Sequence, residues 1–226
     1  IDPQQRLMLE LTQELFDSAG YSREELRGAN VGVVIGATES NYGRKILGRP
    51  KFEGKRGVVS TVTNLIPGRI SHFYDLHGPS LAVYTACSSS LVALHQACSA
   101  LVNRECDLAV AGGIETLLDE EWFVGFSSSQ ALSPTERCRV FSDAADGIAI
   151  GEGAGAVLLK RYEEALQQGD EILAVVEASA VNNDGSTMGL TTPNARAQTQ
   201  LIQRTLQRGE VDPATVSYFE AHGTGT

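Results

Sequence analysis

The sequence has no uninterrupted apolar run long enough to cross a bilayer and no leader of the secretory kind, so no membrane association is expected. It also lacks a basic block. Eighteen Lys and Arg stand against 28 Asp and Glu, a formal charge of -10, which weighs against nucleic acid and leaves room only for a local basic funnel around a phosphate. The four cysteines, Cys87, Cys98, Cys106 and Cys138, form no C-x-x-C pair and no zinc-like pattern with the four histidines. No metal is expected, and a reducing, cytoplasmic setting is the simplest reading. There is no GKS or GKT phosphate loop. The string GEGAG at 151–155 precedes a strand, whereas a dinucleotide fingerprint links a strand to a helix, so it is rejected. Neither an internal repeat nor a low-complexity linker divides the chain.

What is present supports a packed core: 226 residues, 42% of them hydrophobic. Leu7, Leu11 and Leu15 recur at helical spacing over 3–19, with Asp2 as N-cap, Pro3 at N1 and Gly20 as the stop. VGVVIG (31–36) reads as a buried strand and 38–57 as a polar surface loop. A helix is expected from Thr61 to Ser71, interrupted near Pro67, then a turn at 75–79. Strand 81–85 leads through Cys87 into a helix reaching about Val102, so apolar all round that burial on both sides is expected. DLAVAGG (107–113) reads as a central strand whose two glycines allow close backbone packing. Residues 118–139 read as irregular and aromatic-rich, and 156–160 as a strand. A short helix at 162–168, a strand at 172–181, a turn at 182–185, an amphipathic helix at 195–208 and a strand at 216–221 follow. This alternation indicates an α/β layered domain with a mostly parallel sheet. Both ends of the stretch read as cut.

Cys87 lies where a strand gives way to a helix. Ser88, Ser89 and Ser90 can cap that helix, and its unsatisfied N–H groups and dipole favour a thiolate. A covalent acyl-transfer nucleophile needs that setting, although a free cysteine among apolar residues is also an ordinary core residue. His222 ends another strand and precedes a glycine loop, a position that in open α/β sheets faces the binding crevice. A thiolate with a nearby imidazole suits acyl transfer. Thr224 and Thr226 add hydroxyls suited to an amide-bearing ligand. Alternatively, His222 is a backbone-bonded loop histidine and the threonines are turn residues.

TACSSSLVALHQAC (85–98), DLAVAGG (107–113), ADGIAIGEGAG (145–155) and EAHGTGT (220–226) resemble the β-ketoacyl synthases, most closely the ketosynthase domains of modular polyketide synthases. DPQQRLMLE (2–10), GRISHFYDLHGPS (68–80) and AVNNDGSTMGLTTPN (180–194) agree, so the resemblance runs through the whole chain. It implies a thiolase-like layered fold of two αβαβα halves with a mixed, mostly parallel sheet, assembled as a homodimer. Residues 1–226 would be the N-terminal half, a partial domain truncated at both ends. It further implies that Cys87 receives the acyl chain and that its own N–H serves the oxyanion hole. His222 would be one of two histidines assisting malonyl decarboxylation, with Thr224 and Thr226 binding pantetheine. No cofactor is bound directly, because substrates arrive on the phosphopantetheine of acyl carrier protein. Other assembly-line domains such as an acyltransferase are implied partners. A second histidine, a lysine and a glycine-rich loop would lie beyond 226, so the isolated stretch is expected to be inactive.

Two residues depart from the family pattern: Tyr84, where aspartate is usual before the Thr-Ala-Cys run, and Ser142, where aspartate commonly follows the phenylalanine. Neither removes the nucleophile or His222. Tyr84 is placed close to the family's dimer interface. Besides chain extension, the readings left open are a non-elongating ketosynthase that only transfers acyl groups, a thiolase or starter synthase, and a non-catalytic partner in dimerisation or chain-length control.

Overall fold

The computed structural model describes residues 1–47 and 57–226 and divides into two compact units, residues 1–159 with 220–226, and residues 160–219. In chain order the elements are α1 (Pro3–Ser18), α2 (Arg23–Leu26), β1 (Val31–Ala37), α3 (Tyr42–Leu47), α4 (Leu65–Tyr74), β2 (Ser80–Val83), α5 (Ser89–Val102), β3 (Leu108–Glu115), α6 (Glu121–Ser128), β4 (Gly153–Lys160), α7 (Tyr162–Gln168) and α8 (Ala195–Arg208).

In the first unit the sheet runs β2-β1-β3-β4, with β1 parallel to both β2 and β3. Both faces of β1 are covered. Val31, Val33 and Ile35 join Met8 and Phe16 of α1 and Ile66, Ile70 and Tyr74 of α4. Val34, facing the other way as strand alternation requires, meets Ala93, Ala97 and Leu101 of α5. Helices therefore sandwich the sheet. The rings of Phe16 and Tyr74 pack edge to face with their centroids 5.0 Å apart, and the Tyr74 hydroxyl donates to Gln13 at 2.7 Å.

Asp2 caps α1 as expected, accepting the Gln4 N–H at 2.8 Å. It is also buried, accepts from Ser40, and donates its own N–H to Ser60 O at 2.7 Å. Gln5, fully buried, donates to Val62 O at 3.1 Å and accepts from Arg69 Nε at 2.9 Å. The polar start of α1 is thus an internal fastening for the loops after β1 and before α4.

Several expectations are corrected. Residues 42–47 of the expected loop form α3, while 48–56 lie outside the described residues. The helix expected from Thr61 begins at Leu65, and Pro67 sits in its first turn, where a missing N–H breaks no bond, so α4 is continuous. The irregular segment contains α6. α5 is not buried all round. Ala93 and Ala97 are covered by the sheet, whereas Leu91 and Val102 are 70% and 78% exposed.

In the second unit, α8 is capped by Asn194, whose side chain accepts the N–H groups of Arg196 and Ala197, and Asn182 donates to Ala197 O at 2.8 Å. The strand expected at 172–181 does not form, nor does the one at 216–221 on the boundary of the units. Both segments are apolar enough, but a strand needs a partner ladder, and among the described residues none pairs with either. Leu173 and Tyr218 are accordingly left 90% and 76% exposed.

Candidate active site

β2 ends at Val83, and a tight turn carries the chain into α5. Cys87 occupies this turn, exposed, directly after Ala86, whose φ of 52° lies in the left-handed region that L-residues rarely adopt. The serines do not cap α5 as expected. Ser88 is the N-cap without a side-chain bond to the helix. Its hydroxyl instead donates to Thr85 O at 2.8 Å. The Ser89 hydroxyl donates to Ala86 O at 2.6 Å and accepts the Thr85 N–H at 2.9 Å. Both fasten the turn rather than the helix, so no side-chain cap consumes the first-turn amides of α5.

The turn is seated on glycine. A methyl group added at Gly36 of β1 would lie 2.5 Å from the Ser89 carbonyl carbon, and one at Gly113 of β3 would lie 2.6 Å from Ser90 Cβ. The close packing predicted from the glycines of DLAVAGG is therefore present. Beside the turn is an open cleft of about 500 Å³, lined by residues 36–38 after and within β1, 113–115 of β3, 153–155 of β4, and Ala86, Cys87, Ser89 and Ser90. It lies at the carboxyl ends of the parallel strands β1 and β3, where α/β sheets bind ligands.

One polar pair in the cleft was not foreseen. Thr38 donates to the Glu115 carboxylate, 3.1 and 2.8 Å from its two oxygens. The register pairs Ala37 with Ile114, so Thr38 and Glu115 are the next residues along adjacent strands. Polar side chains closing two apolar strands were the available signal, readable only once the pairing was known.

Glycines also shape the His222 loop. Gly223 and Gly225 have φ of 47° and 79°, and a methyl group on them would approach Val140 Cγ1 to 2.6 Å and Arg139 N to 2.9 Å. The Gly147 N–H donates to Gly225 O at 3.1 Å. This loop therefore lies against residues 139–147, which are themselves ordered by Asp146: Arg139 donates to it at 2.6 Å and Ser133 at 2.6 Å. The hydroxyls of Thr224 and Thr226 are brought together at 2.9 Å. His222 is exposed and is not among the described residues lining the Cys87 cleft. Tyr84 lies just past the end of β2, 62% exposed. Ser142 accepts the Ala144 N–H at 3.2 Å, a bond an aspartate there could also make.

No disulfide joins any of the four cysteines. Cys98, on α5, is set apart from Cys87 by partial burial, which pushes its thiol above the ordinary range. Among the described residues no group of His, Cys, Asp or Glu could hold a metal, and no helix is long and apolar enough to cross a membrane.

Residues 1–165 match the family model described as "Beta-ketoacyl synthase, N-terminal domain". The chain belongs to the β-ketoacyl synthases. Residues 173–226 match the C-terminal domain model of the same family. Among curated relatives, the chain is 45% identical over 229 residues to cyclo-acetoacetyl-L-tryptophan synthase of Aspergillus oryzae, covering 100% of this chain and 6% of that protein. It is 44% identical over 227 residues to polyketide synthase PksN of Bacillus subtilis, covering 100% of this chain and 4% of that protein. Of solved structures, the ketosynthase from module 6 of the bacillaene synthase of Bacillus subtilis superposes with a TM-score of 0.92 at 36% identity, over 100% of this chain and 38% of that one. The oxazolomycin ketosynthase domain OzmH KS7 of Streptomyces albus gives 0.89 at 39% identity, over 100% and 39%. The α/β fold with its mostly parallel sheet is thus the thiolase-like fold of ketosynthases.

Proposed function

We propose that the chain supplies the acyl-accepting half-site of a chain-extending ketosynthase, with Cys87 as nucleophile and residues 1–226 as part of one ketosynthase domain. The observation that carries this is Cys87 itself, an exposed thiol at a strained strand-to-helix turn, lining a cleft at the carboxyl ends of β1 and β3.

In the first step the Cys87 thiolate attacks the carbonyl of an acyl thioester carried on phosphopantetheine. A carbon–sulfur bond forms to Cys87, the bond to the carrier sulfur breaks, and the carrier thiolate leaves to take up a proton. The Cys87 N–H, with a further donor, would hold the oxyanion. In the second step a malonyl-type thioester loses carbon dioxide, and the electron pair of the broken bond becomes the enolate that attacks the acyl-Cys87 carbonyl and expels the thiolate. His222 is the group proposed to stabilise the enolate oxygen. Thr224 and Thr226 would bind the pantetheine amides with their paired hydroxyls. Acyl carrier protein, a second copy of the domain and neighbouring assembly-line domains are the proposed partners, in a cytoplasm that keeps the thiols reduced.

The position of His222 outside the cleft lining favours a second reading, acyl transfer without condensation. Acyl loading and carbon dioxide release, measured on the intact polypeptide with acyl- and malonyl-thioesters, separate the two. Extension requires both loading and release in the wild type, with the two uncoupled on His222→Ala, loading kept and release abolished; acyl transfer alone gives loading without release. A Cys87→Ala protein that still takes up the acyl group refutes both readings.

A further inference from the structure

We infer that Ser89 is a positioning residue that clamps the turn in front of Cys87 and so fixes where the thiol enters the cleft. This rests on the reading of Cys87 as nucleophile.

Ala86 precedes Cys87 with φ of 52°. For an alanine the left-handed state is disfavoured by roughly tenfold or more in population, so the surroundings must hold it there. The Ser89 hydroxyl is placed to do so. It is buried at 7% exposure and spans the strained peptide, accepting the Thr85 N–H at 2.9 Å on one side and donating to Ala86 O at 2.6 Å on the other. Both bonds close only when Ala86 is folded back, because they join residues on either side of its φ and ψ to a single oxygen. The clamp cannot drift, since the Ser89 backbone rests directly on Gly36, where a Cβ would come within 2.5 Å. Ser88 makes a parallel link to Thr85, at 2.8 Å to its carbonyl and 3.0 Å to its hydroxyl, but does not reach the Ala86 carbonyl.

Removing the Ser89 hydroxyl strips the Thr85 N–H of its partner and leaves Ala86 held by Ser88 and by two longer backbone bonds, Ser88 N–H to Thr85 O at 3.3 Å and Ser89 N–H to Ala86 O at 3.1 Å, which weights Ala86 back toward the ordinary backbone regions and Cys87 away from its position. Ser89 touches neither substrate nor thiol in this role and acts only through the backbone of Ala86. A glycine at position 86 has no preference against the left-handed state, so the need for the clamp should fall when Ala86 is replaced by glycine.

The test is a cycle in the intact polypeptide: wild type, Ser89→Ala, Ala86→Gly, the double variant, and Ser89→Thr, which keeps the hydroxyl. Single-turnover acylation of Cys87 by an acyl N-acetylcysteamine thioester is followed by intact mass, alongside the thermal midpoint. The expected result is a loss of about tenfold or more for Ser89→Ala, a loss of less than about threefold when the same change is added to Ala86→Gly, and retention of most of the rate in Ser89→Thr. Equal losses in the two backgrounds, or a wild-type rate in Ser89→Ala, overturn the inference. If Ser89→Ala yields no folded protein, the double variant is measured against Ala86→Gly alone, and a loss of tenfold or more there overturns it. Acylation persisting in Cys87→Ala would instead overturn the nucleophile reading, which keeps the two failures distinct.

Discussion

Gly36→Ala is the sharpest probe of how the sheet sets the Cys87 turn. The added Cβ would stand 2.5 Å from the Ser89 carbonyl carbon, 2.6 Å from Ser90 N and 2.7 Å from Ser89 O. All three are backbone atoms, so no side chain can rotate away. Reaching ordinary contact at about 3.4 Å requires the first turn of α5 to lift by almost an ångström, and Gly113, packed on Ser90 from β3, shows that the same turn is equally close to the next strand. Overpacking of this kind costs about 1–3 kcal/mol, and the lost flexibility of the unfolded chain returns only about 0.4–1 kcal/mol. At about 2–4 °C per kcal/mol for a chain of this size, the thermal midpoint should fall by a few degrees. On the proposed role of Cys87 the effect on chemistry is larger, because a nucleophile displaced by about 1 Å can lose about 100-fold in rate. Circular dichroism melts and Cys87 acylation, measured together in the intact polypeptide, give both numbers. Gly125→Ala in α6 is the control: no atom lies within 4 Å of its added Cβ, and helix propensity alone should stabilise by up to about 1 kcal/mol. Wild-type melting and acylation in Gly36→Ala would refute the seating of α5 on β1.

Asp2→Ala removes the cap of α1 and the buried Ser40 contact, so urea unfolding should report a loss of about 1–2 kcal/mol, with a smaller loss for Asp2→Asn. Burial, with the Asp17 carboxylate adding to it, pushes the Tyr74 phenol above its ordinary 10.0. The unfolded chain therefore ionises first, and stability present below about pH 10 is lost as pH rises through the folded value. In Tyr74→Phe that alkaline loss should shrink, at the cost of about 1 kcal/mol at neutral pH for the hydroxyl bond to Gln13. Burial likewise holds the Cys98 thiol above 9.0. Mass-spectrometric mapping at pH 8 should find iodoacetamide on the exposed Cys87 and Cys138 well before Cys98, whose labelling should climb only above pH 9. Tyr84→Asp alters a side chain 62% exposed, and the melt of a monomeric chain should move by no more than about 0.5 kcal/mol.

Local patterning carried much of the fold. The Asp2-Pro3 start and Gly20 stop delimit α1 almost to the residue, and the period of 195–208 gives α8 with both its ends. Two of the failures have one physical source, which is that burial and pairing are not local. Residues 172–181 have every property of a strand except a place in a sheet ladder among the described residues, and α5 is apolar on a side that nothing among the described residues covers. Pro67 misled for the opposite reason: it breaks a helix interior but is harmless in a first turn, and the deciding fact was where α4 begins. In the site, Cys87 was legible because a cysteine between a strand and a helix is a local pattern. The Thr38–Glu115 pair was not, since 77 positions separate its members and only strand register brings them together.

The serines after Cys87 show how residues placed rightly at a helix start can be given the wrong mechanics. As sequence, three serines at a helix start are capping residues, the ordinary reason for serine to stand there. The structure turns two of their hydroxyls away from the helix and onto Thr85 and Ala86, because the Ala86 kink brings those peptide groups within reach of the hydroxyls. A cap and a clamp make opposite demands on the variants. If Ser89 were a cap, Ser89→Asp would serve as well or better, since aspartate is as good a cap and its charge suits a helix N-terminus. As a clamp, Ser89 must donate to Ala86 O, and a carboxylate cannot donate. Ser89→Asp should therefore acylate at least as poorly as Ser89→Ala, and an aspartate that restores the wild-type rate would return the serines to the helix.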